Sequence, residues 1–152
     1  MIGNFLLFLQ LNNHLLSIRK IMRKKEIRIE HPLHCTSERT VWTLIGTDAG
    51  LSRWIADEVE QADDVLIFRW GDPFKAHQIH EARILEIERN HFIRFRWDSY
   101  GEDEYVEIKM CRGDLDRNFT LYITDFADAD EEDDQRALWE GDFERLYLSA
   151  GI

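Results

Sequence analysis

Between residues 65 and 126 apolar side chains fall at every second position in one segment after another, and no other feature constrains the fold so tightly. Period two sends alternate side chains to opposite faces of a strand, so each segment reads as a strand with one buried face. In Phe92–Trp97, Ile93, Phe95 and Trp97 share one face, and Arg94 and Arg96 the other. Residues 105–111 group Val106, Ile108 and Met110 opposite Glu107 and Lys109, and residues 118–126 group Phe119, Leu121 and Ile123. Before them come the apolar run Val65–Trp70, a turn signal at Gly71-Asp72-Pro73, and a long strand over 76–87 carrying His77, His80 and Glu81.

The parities can be tested against one another. A turn at 99–103 sets Phe95 against Val106 and Ile93 against Ile108, which places Arg94 opposite Glu107 on the outer face, where opposite charges help. A turn at 113–116 would set Met110 against Phe119, Ile108 against Leu121 and Val106 against Ile123. Three strands then present one apolar face, and a slip of a single residue would expose it.

Helices flank this meander. A first strand, 25–33, alternates Ile27, Ile29 and Leu33 with Glu26, Arg28 and Glu30, and Pro32 suits an edge. Thr36 or Ser37 can cap a helix reaching about Ile45, with Val41, Trp42, Leu44 and Ile45 for burial and Gly46 at its end. Asp48 can cap a second short helix over 49–55. Seven acids crowd residues 125–134, read as a charged loop and helix start, before a helix over 136–149 with Trp139, Phe143, Leu146, Tyr147 and Ala150 on its apolar stripe. Gly141 inside that helix marks a point of close approach to the sheet.

Length and composition narrow the function. A chain of 152 residues buries about 70% of its unfolded surface and forms one domain. The net charge of −11 and the lack of a basic stripe argue against a nucleic-acid partner, whose affinity would come from cations on phosphates. Cys35 and Cys111 have no second Cys near either, so a redox pair or zinc ribbon is not available, and reduced, buried thiols in a cytoplasmic protein are expected. Residues 1–21 hold no acid and read as an N-terminal extension ahead of Met22, the expected initiator, with 22–152 as the domain. Their apolar run, broken by Asn12, Asn13 and His14, is too short for a membrane span.

The order β-α-α-β(5 or 6)-α resembles the helix-grip fold of the START-like superfamily, an α+β architecture in which a curved antiparallel sheet of six or seven strands wraps a long C-terminal helix. Gly50-Leu-Ser-Arg-Trp-Ile-Ala-Asp57, Phe92–Trp97 with Glu102-Asp-Glu-Tyr105 after it, and Leu121-Tyr-Ile-Thr-Asp-Phe-Ala-Asp128 leading to Leu138-Trp139 are similar to START-like proteins typical of Bacteroidetes. These are relatives of the AHSA (activator of heat-shock ATPase) group, and the likeness spans about 25–149. It implies a cavity between sheet and terminal helix, in a superfamily that includes lipid and polyketide binders, cyclases and co-chaperone domains.

On that fold, Trp54, Trp70, Phe95, Trp97, Trp139 and Phe143 are the candidate ligand-binding residues, their rings supplying area and their indole N–H groups orientation. The expected function is non-catalytic binding of a small hydrophobic ligand. One alternative is a co-chaperone-like interaction module whose acidic surface meets a basic protein partner; another is a cyclase or hydro-lyase using His80, or His77 with Glu81. No cofactor and no metal are expected. His31, His34 and Cys35 cluster but are broken by Pro32 and lack a fourth ligand, and Asp128, Asp130 and Glu132 mimic a calcium loop without its turn glycine.

Overall fold

Seven strands form one antiparallel sheet in the order β1-β7-β6-β5-β4-β3-β2. The computed structural model describes Gln10 and residues 24–72, 74–75 and 77–152. The N-terminal extension expected at 1–21 lies outside the described residues apart from Gln10, as do Pro73 of the expected turn and Ala76. The strands are β1 (Lys25–Pro32), β2 (Glu58–Ala62), β3 (Val65–Gly71), β4 (His77–Glu88), β5 (Phe92–Trp97), β6 (Val106–Arg112) and β7 (Phe119–Ala127). The helices are α1 (Glu38–Gly46), α2 (Asp48–Leu51) and α3 (Glu132–Ala150).

β1 is an edge strand, as Pro32 requires. The chain crosses through α1 and α2 to the opposite edge, enters β2, and returns strand by strand until β7 pairs with β1. β2 is the strand the alternation does not reveal, because its short stretch EVEQA offers only Val59 to the core. Its outward Glu58 and Glu60 hold Arg69 of β3, at 3.4 and 3.3 Å.

α1 starts at Ser37, whose hydroxyl accepts from the Thr40 N–H, and buries Val41, Leu44 and Ile45. α2 is capped by Thr47 and not by Asp48. The Thr47 hydroxyl accepts from the Gly50 N–H, while Asp48 turns outward to accept from the Gln61 N–H of β2. The crossing of α1 and α2 is close: a Cβ on Gly50 would lie 1.8 Å from the Thr43 carbonyl oxygen.

β5 and β6 pair as the charges demand, with Arg94 opposite Glu107 and Phe95 opposite Val106. Arg94 donates to Glu107 through Nε at 2.9 Å and Nη2 at 2.5 Å, and the Glu107 carboxylate is itself buried. β6 and β7 differ from the expected register by two residues. Met110 meets Leu121 and Ile108 meets Ile123, because the connection runs from Gly113 to Asn118, closed by the Gly113 N–H on the Asn118 carbonyl at 2.8 Å. A shift of two keeps every side chain on its face, so the apolar surface survives.

α3 lies against this surface through Trp139, Phe143 and Leu146. It begins four residues before the expected start, so Glu132, Asp133 and Asp134 form its first turn, at the positive end of its dipole. Tyr147, expected on the buried stripe, is 59% exposed. Gly141 marks no close approach, since a Cβ there would meet nothing within 4 Å. Both cysteines are half-buried and free, where burial was expected.

Candidate functional site

The concave side of β3, β4 and β5 and the first half of α3 border a half-open cavity of about 390 Å³. Pairing fixes what faces it: Trp70 stands opposite Gln78, Phe68 opposite His80, and Ala82 opposite Trp97, so these residues share the inner face. Phe95 follows from the same parity in β5. From α3 come Gln135, Leu138, Trp139 and Asp142, a spacing of three and four that keeps them on one side of a helix. Larger open grooves exist elsewhere, including one of about 700 Å³ beside α1, where Trp42 and Ile87 are bordered by Glu38, Arg39 and Arg89, but that groove does not lie between the sheet and α3.

Of the six aromatic candidates, Trp70, Phe95, Trp97 and Trp139 line this cavity, and Trp54 and Phe143 do not. Trp54 is fully buried, with its indole N–H on the Leu44 carbonyl at 2.9 Å and its ring beside Trp139 and Phe143. Phe143 stacks flat on His31, with ring centroids 4.0 Å apart. The indole N–H groups of Trp70 and Trp139 also have partners within the protein. Trp70 donates to the Ile55 carbonyl at 3.0 Å and Trp139 to Asp125 at 2.8 Å. They set the position of the rings, and what they offer a ligand is the ring face.

Asp125 is the residue that sequence reasoning missed. It was counted among the acids of a charged loop, yet it is 1% exposed on the inner face of β7. One carboxylate oxygen accepts from the Tyr100 hydroxyl at 2.6 Å and the Phe126 N–H at 2.8 Å. The other accepts from the Gln135 side-chain amide and the Trp139 indole, each at 2.8 Å. Four uncharged donors thus tie the loop after β5, strand β7 and helix α3 to one buried acid, which satisfies the requirement that buried polar groups be hydrogen-bonded. Burial and the neighbouring Asp125 push the Tyr100 hydroxyl pKa far up, so it remains a donor. The signal was available: Asp125 has the parity of Phe119, Leu121 and Ile123, so it had to point inward.

Asp142 is a second acid at the cavity wall. Burial raises its pKa from 3.8 to about 7, against the opposing pull of Arg145, which reaches one carboxylate oxygen at 3.2 Å. Of the expected catalytic candidates, His80 is at the cavity mouth, with Trp70 at 5.7 Å and Trp97 at 6.5 Å between ring centroids. His77 and Glu81 have the opposite strand parity, yet Glu81 borders, with His80, Trp70 and Trp97, an adjoining pocket of about 290 Å³. His77 Nδ1 lies 3.0 Å from the Lys75 carbonyl.

The other clusters resolve into local contacts. Burial lowers the His31 pKa beneath its stack on Phe143, and the Cys35 thiol faces the Ser37 carbonyl. Glu132 pairs with Lys25 and Arg136, at 3.2 and 3.1 Å. Among the described residues no three His, Cys, Asp or Glu side chains converge as a metal would need, and no helix is long and apolar enough to cross a membrane.

Comparison with known structures agrees with this geometry. A Bacteroides fragilis protein solved in solution is 38% identical, with 86% of this chain and 94% of that one covered and a TM-score of 0.57. The Aha1 dimer from Colwellia psychrerythraea is 12% identical, with 84% and 97% covered and a TM-score of 0.59. DynU16, a protein in the dynemicin biosynthetic locus, is 15% identical, with 83% of this chain and 48% of that one covered and a TM-score of 0.64. The last two show the shared fold alone, and no curated protein matches. The START-like superfamily domain model matches residues 21–152, over the sheet, the crossing helices and the closing helix alike, and the chain belongs to that superfamily.

Proposed function

We propose that this chain is a non-catalytic domain that takes a small hydrophobic molecule into the cavity between the sheet and α3. The observation that carries the reading is the wall: Trp70, Phe95 and Trp97 from the strands face Leu138 and Trp139 from the helix around about 390 Å³. That volume falls within the range of small-molecule sites, which are mostly apolar with a few placed polar groups. Membership in a superfamily whose domains commonly bind hydrophobic ligands supports the same conclusion.

A non-catalytic role is favoured over a cyclase or hydro-lyase by how the polar groups are engaged. Asp125 is saturated by four internal donors, and His77 and Glu81 have the strand parity opposite to that of His80, so neither shares its face of β4 to form an acid–base pair with it. A cytoplasmic location accompanies this proposal. The test is titration with the neutral dye N-phenylnaphthylamine, whose emission rises on transfer to an apolar site. Saturable binding that is lost in Leu138→Trp, which fills the space, supports the reading. Binding unchanged in a folded Leu138→Trp variant would remove it.

The net charge of −11 and the acidic first turn of α3 favour a second reading, an interaction module for a basic protein. Pull-downs at low and high salt separate the two, because only the second requires a salt-sensitive protein partner.

A further inference from the structure

The cavity is selective in its polar groups as well as apolar in its walls. Its described lining carries two carboxylates, Asp125 and Asp142, two amides, Gln78 and Gln135, and His80, and no Lys or Arg. Arg145 reaches Asp142 from along the helix and occupies one of its oxygens, and among the described residues the other oxygen has no hydrogen-bond or ion-pair partner. The rings beside these groups meet at open angles. Trp70 and Trp97 are 6.2 Å apart and inclined at 44°, Trp97 and Phe95 are 5.4 Å apart and nearly perpendicular, and His80 closes the group edge-on. Aromatic faces carry negative potential, and with two acids and an excess of negative charge over the molecule they disfavour an anion and favour a cation.

We propose that the ligand of this cavity is an organic cation, an apolar or aromatic body bearing an ammonium group held between the Trp70 and Trp97 rings and the free oxygen of Asp142. The proposal rests on the reading of the cavity as a ligand site and names the class of molecule it takes. The apolar body lies against Phe95, Leu138 and Trp139. The ammonium replaces part of its hydration with ring faces and one carboxylate oxygen. Asp125, with its acceptors filled, acts through charge and by holding Trp139 in place.

Three molecules of matched shape test it: phenethylammonium, its alcohol and hydrocinnamate, titrated against the full chain at pH about 8, where the Asp142 carboxyl is mainly ionised, and followed by NMR shifts of the indole N–H signals. The expected order is cation, alcohol, anion, with the cation ahead of the alcohol by about tenfold. Asp142→Asn, an isosteric change at a partly exposed helix position, is expected to reduce that advantage severalfold. Trp97→Leu is expected to weaken the cation more than the alcohol. His80, Arg145, Asp57 and Asp125 also carry or can carry charge near this acid, so the comparison is made at one pH.

Equal affinity for cation and alcohol would overturn the cation assignment and leave the hydrophobic site standing. An advantage that persists unchanged in both variants would overturn the placement at Trp97 and Asp142. Failure of all three molecules and of the neutral dye to bind would overturn both proposals.

Discussion

A buried carboxylate is costly unless its neighbours are donors, and at Asp125 all four are. Replacing it by Asn keeps the shape but converts one acceptor oxygen into an NH2 that faces two donors already aimed at it. Asp125→Asn is therefore expected to destabilise the domain by about 2–4 kcal/mol, seen as a lower urea midpoint at unchanged slope; a midpoint within error of the parent would show that the four hydrogen bonds contribute nothing net. Asp142 is the opposite case, an acid whose burial outweighs its partner. Its folded pKa, about 7, lies above its ordinary 3.8, so the folded state holds the proton more tightly. Stability from this group is fully present below about pH 4 and declines as pH rises through 7, by roughly 2–4 kcal/mol. Asp142→Asn should remove that decline and exceed the parent in stability at pH 8; urea unfolding at pH 5 and pH 8 reads the difference, and identical slopes in the two proteins would refute it. Neither acid stood out in composition, where both merged into a general negative charge. Parity along β7 exposes Asp125, but only the packing of α3 on the sheet reveals Asp142.

At the scale of elements, the alternating pattern determined which face of each strand is buried, and the opposed charges of Arg94 and Glu107 fixed the β5–β6 register. It could not fix β6–β7, because turns that differ by two residues leave the faces identical and only loop geometry decides between them. The helices show a similar division. Their existence followed from caps and periodicity, whereas the roles of their glycines depended on neighbours distant in sequence. Gly50 has a backbone carbonyl where a Cβ would go, and Gly141 has open space. Gly50→Ala is expected to destabilise by about 1–3 kcal/mol or more as α1 and α2 are forced apart, and Gly141→Ala to stabilise by up to about 1 kcal/mol through helix propensity. Thermal unfolding of the two variants tests both signs. Stabilisation by the first or destabilisation by the second would contradict the packing described.

For the whole molecule, the longest-range pairing is between its first and seventh strands, Lys25 against Ala127, which adds β1 as the edge of the sheet next to β7. Folding brings an excess of acids together, and self-repulsion opposes the compact state. The groups that counter it differ in how salt reaches them. Exposed pairs such as Lys25–Glu132 are screened along with the repulsion, whereas the Arg94–Glu107 pair has its carboxylate 91% buried from solvent on the side-chain scale and is screened far less. Raising salt therefore removes more repulsion than attraction. The domain is expected to gain on the order of 1 kcal/mol between low ionic strength and about 0.5 M sodium chloride. Urea midpoints across a salt series measure the gain, with Arg94→Met as the contrast: it should lower stability by a similar amount at every salt concentration. A midpoint that falls with salt would mean that the surface ion pairs, and not the buried one, hold this acidic chain together.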